Sequence, residues 1–512
     1  MKVKVFVVIL IIITLFLRLQ HIDYGLPLSY FIDETDHSDP AIKYALNFKS
    51  QIIKGNLGFF KPETYVYGSF PLYAFSGAIL IYKSATQLFS YIPSRADYEV
   101  LLRIITTLVS ISIPVFTYLI YKKLFNNKYY ALLALIFCLF NWKLWYHSIY
   151  INQDIYLTVC MCIALYFILL ASDNSSKSKI YLLIAAFWYG AAFGTKITTL
   201  FSIPAFLIYF FFNKNIKQFV LFMGVALTSY FITNPFSIIT FNDFLARLIQ
   251  MNAREGGVVF GSVDMSPFKY IIDLGHISTW PILILGVLGF TYANKSKVSK
   301  NFIVLLGTYV FFFVFLFSTR PRNSERYLLP LIPIIIVFCT YAIQALSEKF
   351  KTQTIQKYIF YLAISFIFLY NYILGLNVYL QMSVTKPVIA AYYWANSNIR
   401  NSKILVYTED GRNPFSKING TKVYVYQLYV SKGAQYFYPQ DPTNYDYIVL
   451  SSKPMQNFKR DYVVKTYHEY VNKWVDFENL VTKSNNFKLI KSFETSYGNP
   501  LNFSDIKIYQ RL

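Results

Sequence analysis

Two adjacent carboxylates, Asp33 and Glu34 in FIDETDHSDP, follow the first apolar stretch of this chain by about a dozen residues. A carboxylate at the centre of a membrane helix costs roughly 2.5–3.5 kcal/mol, so the pair is expected at a water-facing rim, where acids take protons or hold cations. Asp154, in HSIYINQDIYLT, opens a later apolar stretch and offers a third acid. Carboxylates close together bind an acceptor, a metal or a shared proton. The plain alternative is helix capping. Thr35 and Asp36 precede a helical pattern through Leu46 and Phe48, and Asp154 precedes a span.

The cations suggest the complementary half of a site. STRPRNSERY carries Arg320, Arg322 and Arg326, and GTKIT carries Lys196. Guanidinium forks bind phosphate bidentately, so a lipid phosphate at this depth is a natural partner. Ordinary anionic headgroups, or snorkelling for Lys196, are the alternatives. His37, Asp36 and Asp39 leave a divalent metal open as a cofactor, although their spacing matches no metal signature, and His37 is also a candidate acceptor or sugar contact. Tyr65, Tyr67, Phe70 and Tyr73 read as interfacial anchors, with sugar or lipid contact the second reading. No Gly-rich phosphate loop, Ser-His-Asp grouping or Cys-x-x-Cys pair is present.

The elements that must position these residues are membrane spans. At 55% hydrophobic, 20% aromatic and 14% charged residues, the 512-residue chain is too apolar to be soluble. Basic residues exceed acidic ones by 48 to 26, but the lysines cluster between apolar runs, the imprint of an anionic cytoplasmic leaflet and not of nucleic acid. All four cysteines lie in apolar segments, so no disulfide is expected. Val3 to Leu19 lacks a following small-residue cleavage site and reads as a retained span. Apolar stretches at about 3–20, 100–121, 129–148, 155–171, 180–195, 197–212, 218–235, 277–293, 301–318, 328–346 and 358–376 predict about eleven transmembrane helices.

A further candidate, Phe70 to Ile92, is interrupted by Lys83, Ser84, Thr86 and Gln87, and charge decides its fate. If it does not cross, an inside N-terminus puts Lys122, Lys123 and Lys128, and every later lysine cluster, on the cytoplasmic side. If it crosses, all are exported. Residues 21–98 are therefore expected to form one external loop with an apolar arm. The same parity places Asp154, the 236–276 loop, the Ser318 to Tyr327 loop and a C-terminal α/β domain, 377–512, outside the plasma (inner) membrane. In that domain Lys403 to Tyr407, Tyr447 to Leu450 and Ile506 to Tyr509 read as strands. Residues 1–376 form the membrane module.

With these residues in order, the chain resembles the polytopic GT-C-fold glycosyltransferases, specifically the protein O-mannosyltransferase and lipid A aminoarabinose transferase family (family 39-like). The likeness rests on FIDET, YGSFPLYAF, LLRIITTLVSISIPVFTYLIYKKLF, HSIYINQDIYLT, GAAFGTKITTL, TNPFSIITFNDF and RYLLPLIP in family order, and on YDYIVLSS and IKIYQRL near the end. It implies a sugar donor on a polyprenyl phosphate and an external active site. It further implies Asp33 as general base, Glu34 supporting it, and Asp154, Lys196 and Arg326 at the family's acidic and basic positions. The Pro-rich stretch before the arm is reduced to Pro62 and Pro71, and the tail is not the sugar-binding repeat domain of eukaryotic relatives. The acceptor is thus a lipid, glycan or protein. The rival readings are a secondary transporter of an anionic solute and a non-catalytic subunit of envelope-glycan assembly. Transporters keep ionisable groups near the midplane and show internal repeats, whereas these cluster at one rim.

Overall fold

The computed structural model describes the chain except residues 1, 29–30, 32, 63–64, 66–67, 174–175, 256–257, 260–266, 296–299, 320–323, 351–353, 409–412, 426–428, 431–437, 460, 499–500 and 502. Each predicted apolar stretch is helical over most of its length, because runs without a polar face satisfy their backbone only within the helix. Among the described residues, six helical segments are long and apolar enough to cross a membrane alone: Arg95–Phe125, Gln153–Ala171, Ile216–Thr233, Lys300–Ser318, Glu325–Lys349 and Tyr358–Asn398. Two more qualify as bent pairs, Lys128–Leu139 with Trp142–Ser148 and Phe268–Ser278 with Trp280–Asn294, and Val5–Leu19, Ser178–Phe193 and Ile197–Phe212 are shorter.

Eight helices set up the site: α1 (Lys2–Leu19), α2 (Thr35–Ile53), α3 (Ser69–Gln87), α4 (Arg95–Ser110), α5 (Ser112–Phe125), α6 (Lys128–Leu139), α7 (Trp142–Ser148) and α8 (Gln153–Ala171). Burial separates centre from rim of the bundle. The spans Gln153–Ala171 and Glu325–Lys349 are 78% and 83% buried, against 17% for Tyr358–Asn398, so α8 and the Glu325 segment form the hub. The apolar arm is α3, which does not qualify as a span. It lays Leu72, Phe75 and Ile79 against Ala41, Tyr44 and Ala45 of α2 and Tyr98 and Leu102 of α4.

The arm is pinned next to Lys196. Gly68 N donates to Thr195 O at 3.0 Å, and a Cβ on Gly68 would lie 1.9 Å from Gly194 O, so only glycine permits this approach. Ser69 N then donates to Asn234 Oδ1 at 2.6 Å.

Beyond the bundle the helix Thr354–Met382 leads to the helix Pro387–Asn398 and a five-stranded sheet. Thr421–Val425, Ile404–Thr408 and Tyr447–Ser451 run parallel, followed by antiparallel Ile506–Arg511 and Phe487–Phe493. Strand alternation gives the sheet two apolar faces. Leu405, Tyr407 and Ile448 pack under Tyr470, Trp474 and Phe477, while Ile404, Val406 and Val449 pack under Ala391 and Ala395. The domain returns to the first loop. Leu501 N donates to Gln381 Oε1 at 2.8 Å, Phe503 lies 6.1 Å from Phe31, and buried Lys386 stands 4.7 Å from the rings of both Phe31 and Phe503.

Candidate active site

The two adjacent acids diverge because of the turn that holds them. Asp33 adopts φ +65°, a left-handed conformation that Asp tolerates better than most residues, and the turn closes with Glu34 N on Phe31 O at 3.2 Å. Their side chains therefore leave the backbone in different directions.

Glu34 does not sit at a water-facing rim, as the sequence leads one to expect. It is fully buried, and it does not cap α2. Instead Arg103, on the α4 face opposite solvent, grips it bidentately, Nε on Oε1 at 2.7 Å and Nη2 on Oε2 at 2.6 Å. Phe31 N and Ile151 N each add a bond of 3.2 Å to the carboxylate, while Arg103 Nη1 donates to Ile22 O and Tyr24 O at 2.9 Å. Burial alone would raise the Glu34 carboxyl. Arg103 and the two backbone N–H groups outweigh burial and hold it below the usual carboxylate range. The burial cost is met because every lone pair finds a donor.

Asp33 points to a different, partly open cluster. Its Oδ2 lies 2.6 Å from Arg326 Nη2, and Arg326 Nε is 3.7 Å from Asp154 Oδ2. Asp154 Oδ1 accepts from Lys196 Nζ at 2.6 Å. The cap that the sequence suggested for Asp154 belongs to Asn152, whose Oδ1 accepts from Asp154 N at 2.8 Å, leaving the Asp154 carboxylate for the cations. Exposure grades across the cluster, with side chains 24% exposed at Asp33, 16% at Arg326, 8% at Lys196 and 4% at Asp154. Solvent thus reaches the Asp33 end. Lys196 also lies 4.1 Å from the Tyr327 ring, a cation–π contact that steadies the ammonium.

His37, on the first turn of α2, borders the same cluster. Burial lowers its pKa to about 4; the pull of Asp33 and Asp154 opposes that, and Arg326 and Lys196 reinforce it. Its imidazole is neutral at neutral pH, with Nδ1 3.3 Å from Gln153 Nε2. Two further buried polar atoms on α7 and α8, His147 Nε2 and Gln153 Oε1, have no hydrogen-bond partner among the described residues.

The structure thus brings Asp33, Asp154, Lys196, Arg326 and His37 together. It separates Glu34 from them and places Tyr65 elsewhere, its hydroxyl 2.5 Å from Thr240 Oγ1 and its ring edge-on to Phe244. Asp39 is paired with Arg95. Arg320, Arg322 and Tyr67 lie outside the described residues. Among the described residues no three His, Cys, Asp or Glu side chains gather as a metal cluster. Sequence reasoning missed Arg103 as a site residue, although a lone arginine in an apolar helix is a signal, since such residues in spans have partners. It also missed the Glu325–Lys143 pair, 2.8 Å apart beside Arg326.

Residues 76–239 match the family model for dolichyl-phosphate-mannose-protein mannosyltransferase. That segment holds Arg103, Asp154 and Lys196. In fold the chain is similar to ArnT from Cupriavidus metallidurans in the apo state, with a TM-score of 0.53 at 10% identity over 99% of this chain and 98% of that one. It is also similar to ArnT from the same organism bound to undecaprenyl phosphate, at 0.50 and 13% identity over 76% and 72%. For the archaeal oligosaccharyltransferase AglB from Archaeoglobus fulgidus the TM-score is 0.49 at 14% identity, over 79% and 62%. No curated protein matches the chain in sequence. The family match thus covers about a third of the chain, residues 76–239, and the fold is shared with ArnT along nearly its whole length.

Proposed function

We propose that the protein transfers a sugar from a polyprenyl-phosphate carrier to a hydroxyl of a lipid, glycan or protein acceptor, with inversion, and that Asp33 is the general base. The observation that carries this reading is the bridge made by Arg326, which touches Asp33 and lies within ion-pair reach of Asp154 while Lys196 holds the other side of Asp154. One rim therefore offers a base and two cations at bonding distance. The match to a dolichyl-phosphate-mannose-protein mannosyltransferase model and the likeness to a protein crystallised with undecaprenyl phosphate favour a lipid-phosphate donor.

In this mechanism a donor phosphate engages Arg326 and Lys196, and Arg326 loosens its hold on Asp33. The acceptor hydroxyl gives its proton to Asp33, and its oxygen attacks the anomeric carbon opposite the phosphate. The bond to the phosphate oxygen breaks and the electron pair leaves with the phosphate. Charge grows on that phosphate in the transition state, where the two cations stabilise it preferentially. A positioned base contributes typically about 100- to 10,000-fold. Asp154 orients the cations, Glu34 positions the loop through Arg103, and Arg320 and Arg322 are further candidates for the phosphate. The lysine clusters favour an extracytoplasmic site in the plasma membrane with a cytoplasmic N-terminus.

The test uses the full chain in lipid nanodiscs with a panel of radiolabelled polyprenyl-phosphate sugars and total envelope glycolipid as acceptor. Asp33→Asn should bind donor as the parent does but transfer roughly 100- to 10,000-fold more slowly. Full transfer by a folded Asp33→Asn protein overturns the assignment of the base. Mass spectrometry of the product names the sugar and acceptor.

A further inference from the structure

A second recess opens next to the ionic cluster. The segment Glu325–Leu331 turns as a 3-10 helix, so Glu325 and Arg326, neighbours in sequence, serve different spaces. Arg326 goes to Asp33. Glu325 goes to a cavity of about 450 Å3 walled by Trp142, Lys143, His276, Thr279, Trp280 and Asn377. Its carboxylate is held 2.8 Å from Lys143 Nζ and 2.9 Å from His276 Nδ1.

The walls are built, not incidental. The helices Phe268–Ser278 and Trp280–Asn294 meet at 109°, and Thr279 at the corner has φ +71°. A β-branched residue in the left-handed region is strained by about 1–3 kcal/mol, and such strain persists where surrounding structure enforces it, often at ligand sites. Here Asn371 Nδ2 donates to Thr279 Oγ1 at 3.2 Å. The corner folds Trp280 over Gly275, where a Cβ would lie 2.6 Å from the indole. Trp142 is fixed by its Nε1 donating to His276 O at 3.2 Å and by Lys143 Nζ at 4.7 Å from its ring.

The chemistry of this lining selects among occupants. A lipid tail has no use for converging ammonium, carboxylate, imidazole and amide groups, and a phosphate would meet the Glu325 carboxylate. A sugar ring offers C–H faces to indole rings and hydroxyls that both donate and accept, which Glu325, Lys143 and Asn377 complement. We infer that this cavity is a sugar-binding site, seating a pyranose one residue away from the cation that holds Asp33. The choice of a sugar rests on the glycosyltransferase reading above, and the ring belongs either to the donor or to the acceptor.

The experiment is saturation-transfer NMR on the full chain in nanodiscs, with methyl α-mannopyranoside, methyl β-galactopyranoside and methyl β-xylopyranoside as probes. At least one should receive magnetisation on its ring protons. Trp280→Ala and Asn377→Leu, each with an unchanged unfolding midpoint, should weaken that signal about 3- to 10-fold. Asp33→Asn should leave it intact. Absence of transfer to all three probes, or undiminished transfer in both variants, overturns the proposal. Displacement by a short-chain polyprenyl-phosphate mannose assigns the seat to the donor sugar, and retention assigns it to the acceptor. Glycoside binding in a protein with no transferase activity would keep this site while sinking the functional reading.

Discussion

Asp33 and Glu34 share a peptide bond yet live in opposite settings. Glu34 is sealed, with four hydrogen bonds, two of them from a bidentate arginine, whereas Asp33 is about a quarter exposed and has a short ion pair to a cation that Asp154 also attracts. A saturated buried carboxylate cannot take part in chemistry without breaking its surroundings. An acid at a solvent-reached edge, tied to a cation that has another carboxylate to turn to, can exchange its partner for a proton. The comparison separates a residue that builds the site from one suited to act in it.

Substitutions at the two positions should part company. The largest effect is expected in transfer rate: Asp33→Asn should cost roughly 100- to 10,000-fold in product formation while its thermal midpoint in nanodiscs stays near that of the parent. An Asp33→Asn protein that loses fold instead of rate erases the distinction. Next comes the sealed pair. Arg103→Met leaves a buried charge without its partner and should destabilise by about 3–5 kcal/mol, read as a drop in the unfolding midpoint. Adding Glu34→Gln should restore much of it, and a double variant as unstable as Arg103→Met would show that the pairing is not the source.

Acid titration sharpens the contrast at smaller scale. His37 has a folded pKa of about 4, below its unfolded value near 6.5, so between those values the unfolded chain takes a proton that the folded one refuses. Stability should fall as pH drops from about 6.5 to about 4, by at most about 3 kcal/mol, and a His37→Gln protein should lack that slope. The Glu34 contribution has the other signature: its pKa is lowered, so it should persist until pH falls below the ordinary glutamate value of about 4.3. The smallest effect belongs to Arg95, on the same helix as Arg103 but half exposed, where it pairs with Asp39 and Glu99. Arg95→Ala should cost less than about 1 kcal/mol in the same melts, and a loss near that of Arg103→Met would show that exposure is not what separates the two arginines.

The sequence carried the scaffold well because its signals are long. Apolar runs gave the helical segments and alternating residues gave the strands Ile404–Thr408, Tyr447–Ser451 and Ile506–Arg511. It also named the residues that meet in the ionic cluster, since acids and bases beside apolar runs are few. What it could not separate was Asp33 from Glu34. Their divergence depends on one backbone angle and on an arginine about 70 positions away, and neither leaves a periodic trace. Tyr65 looked equivalent to other loop aromatics, yet Thr240 and Phe244 occupy it from a distant segment. The Glu325 recess was illegible for the same reason, as its walls come from five separated stretches.

The contacts of Phe31 with Phe503 and Lys386 also bear on timing. A ribosome adding about 5–20 residues per second makes Phe31 roughly half a minute to a minute and a half before Phe503 exists. Throughout that interval the newborn turn lacks the Phe503 ring, and for most of it the Lys386 ammonium, that later cover Tyr24 and Phe31. The nascent protein therefore inserts its spans with an unfinished acidic turn, and a chain arrested before Phe503 would remain immature however complete its bundle.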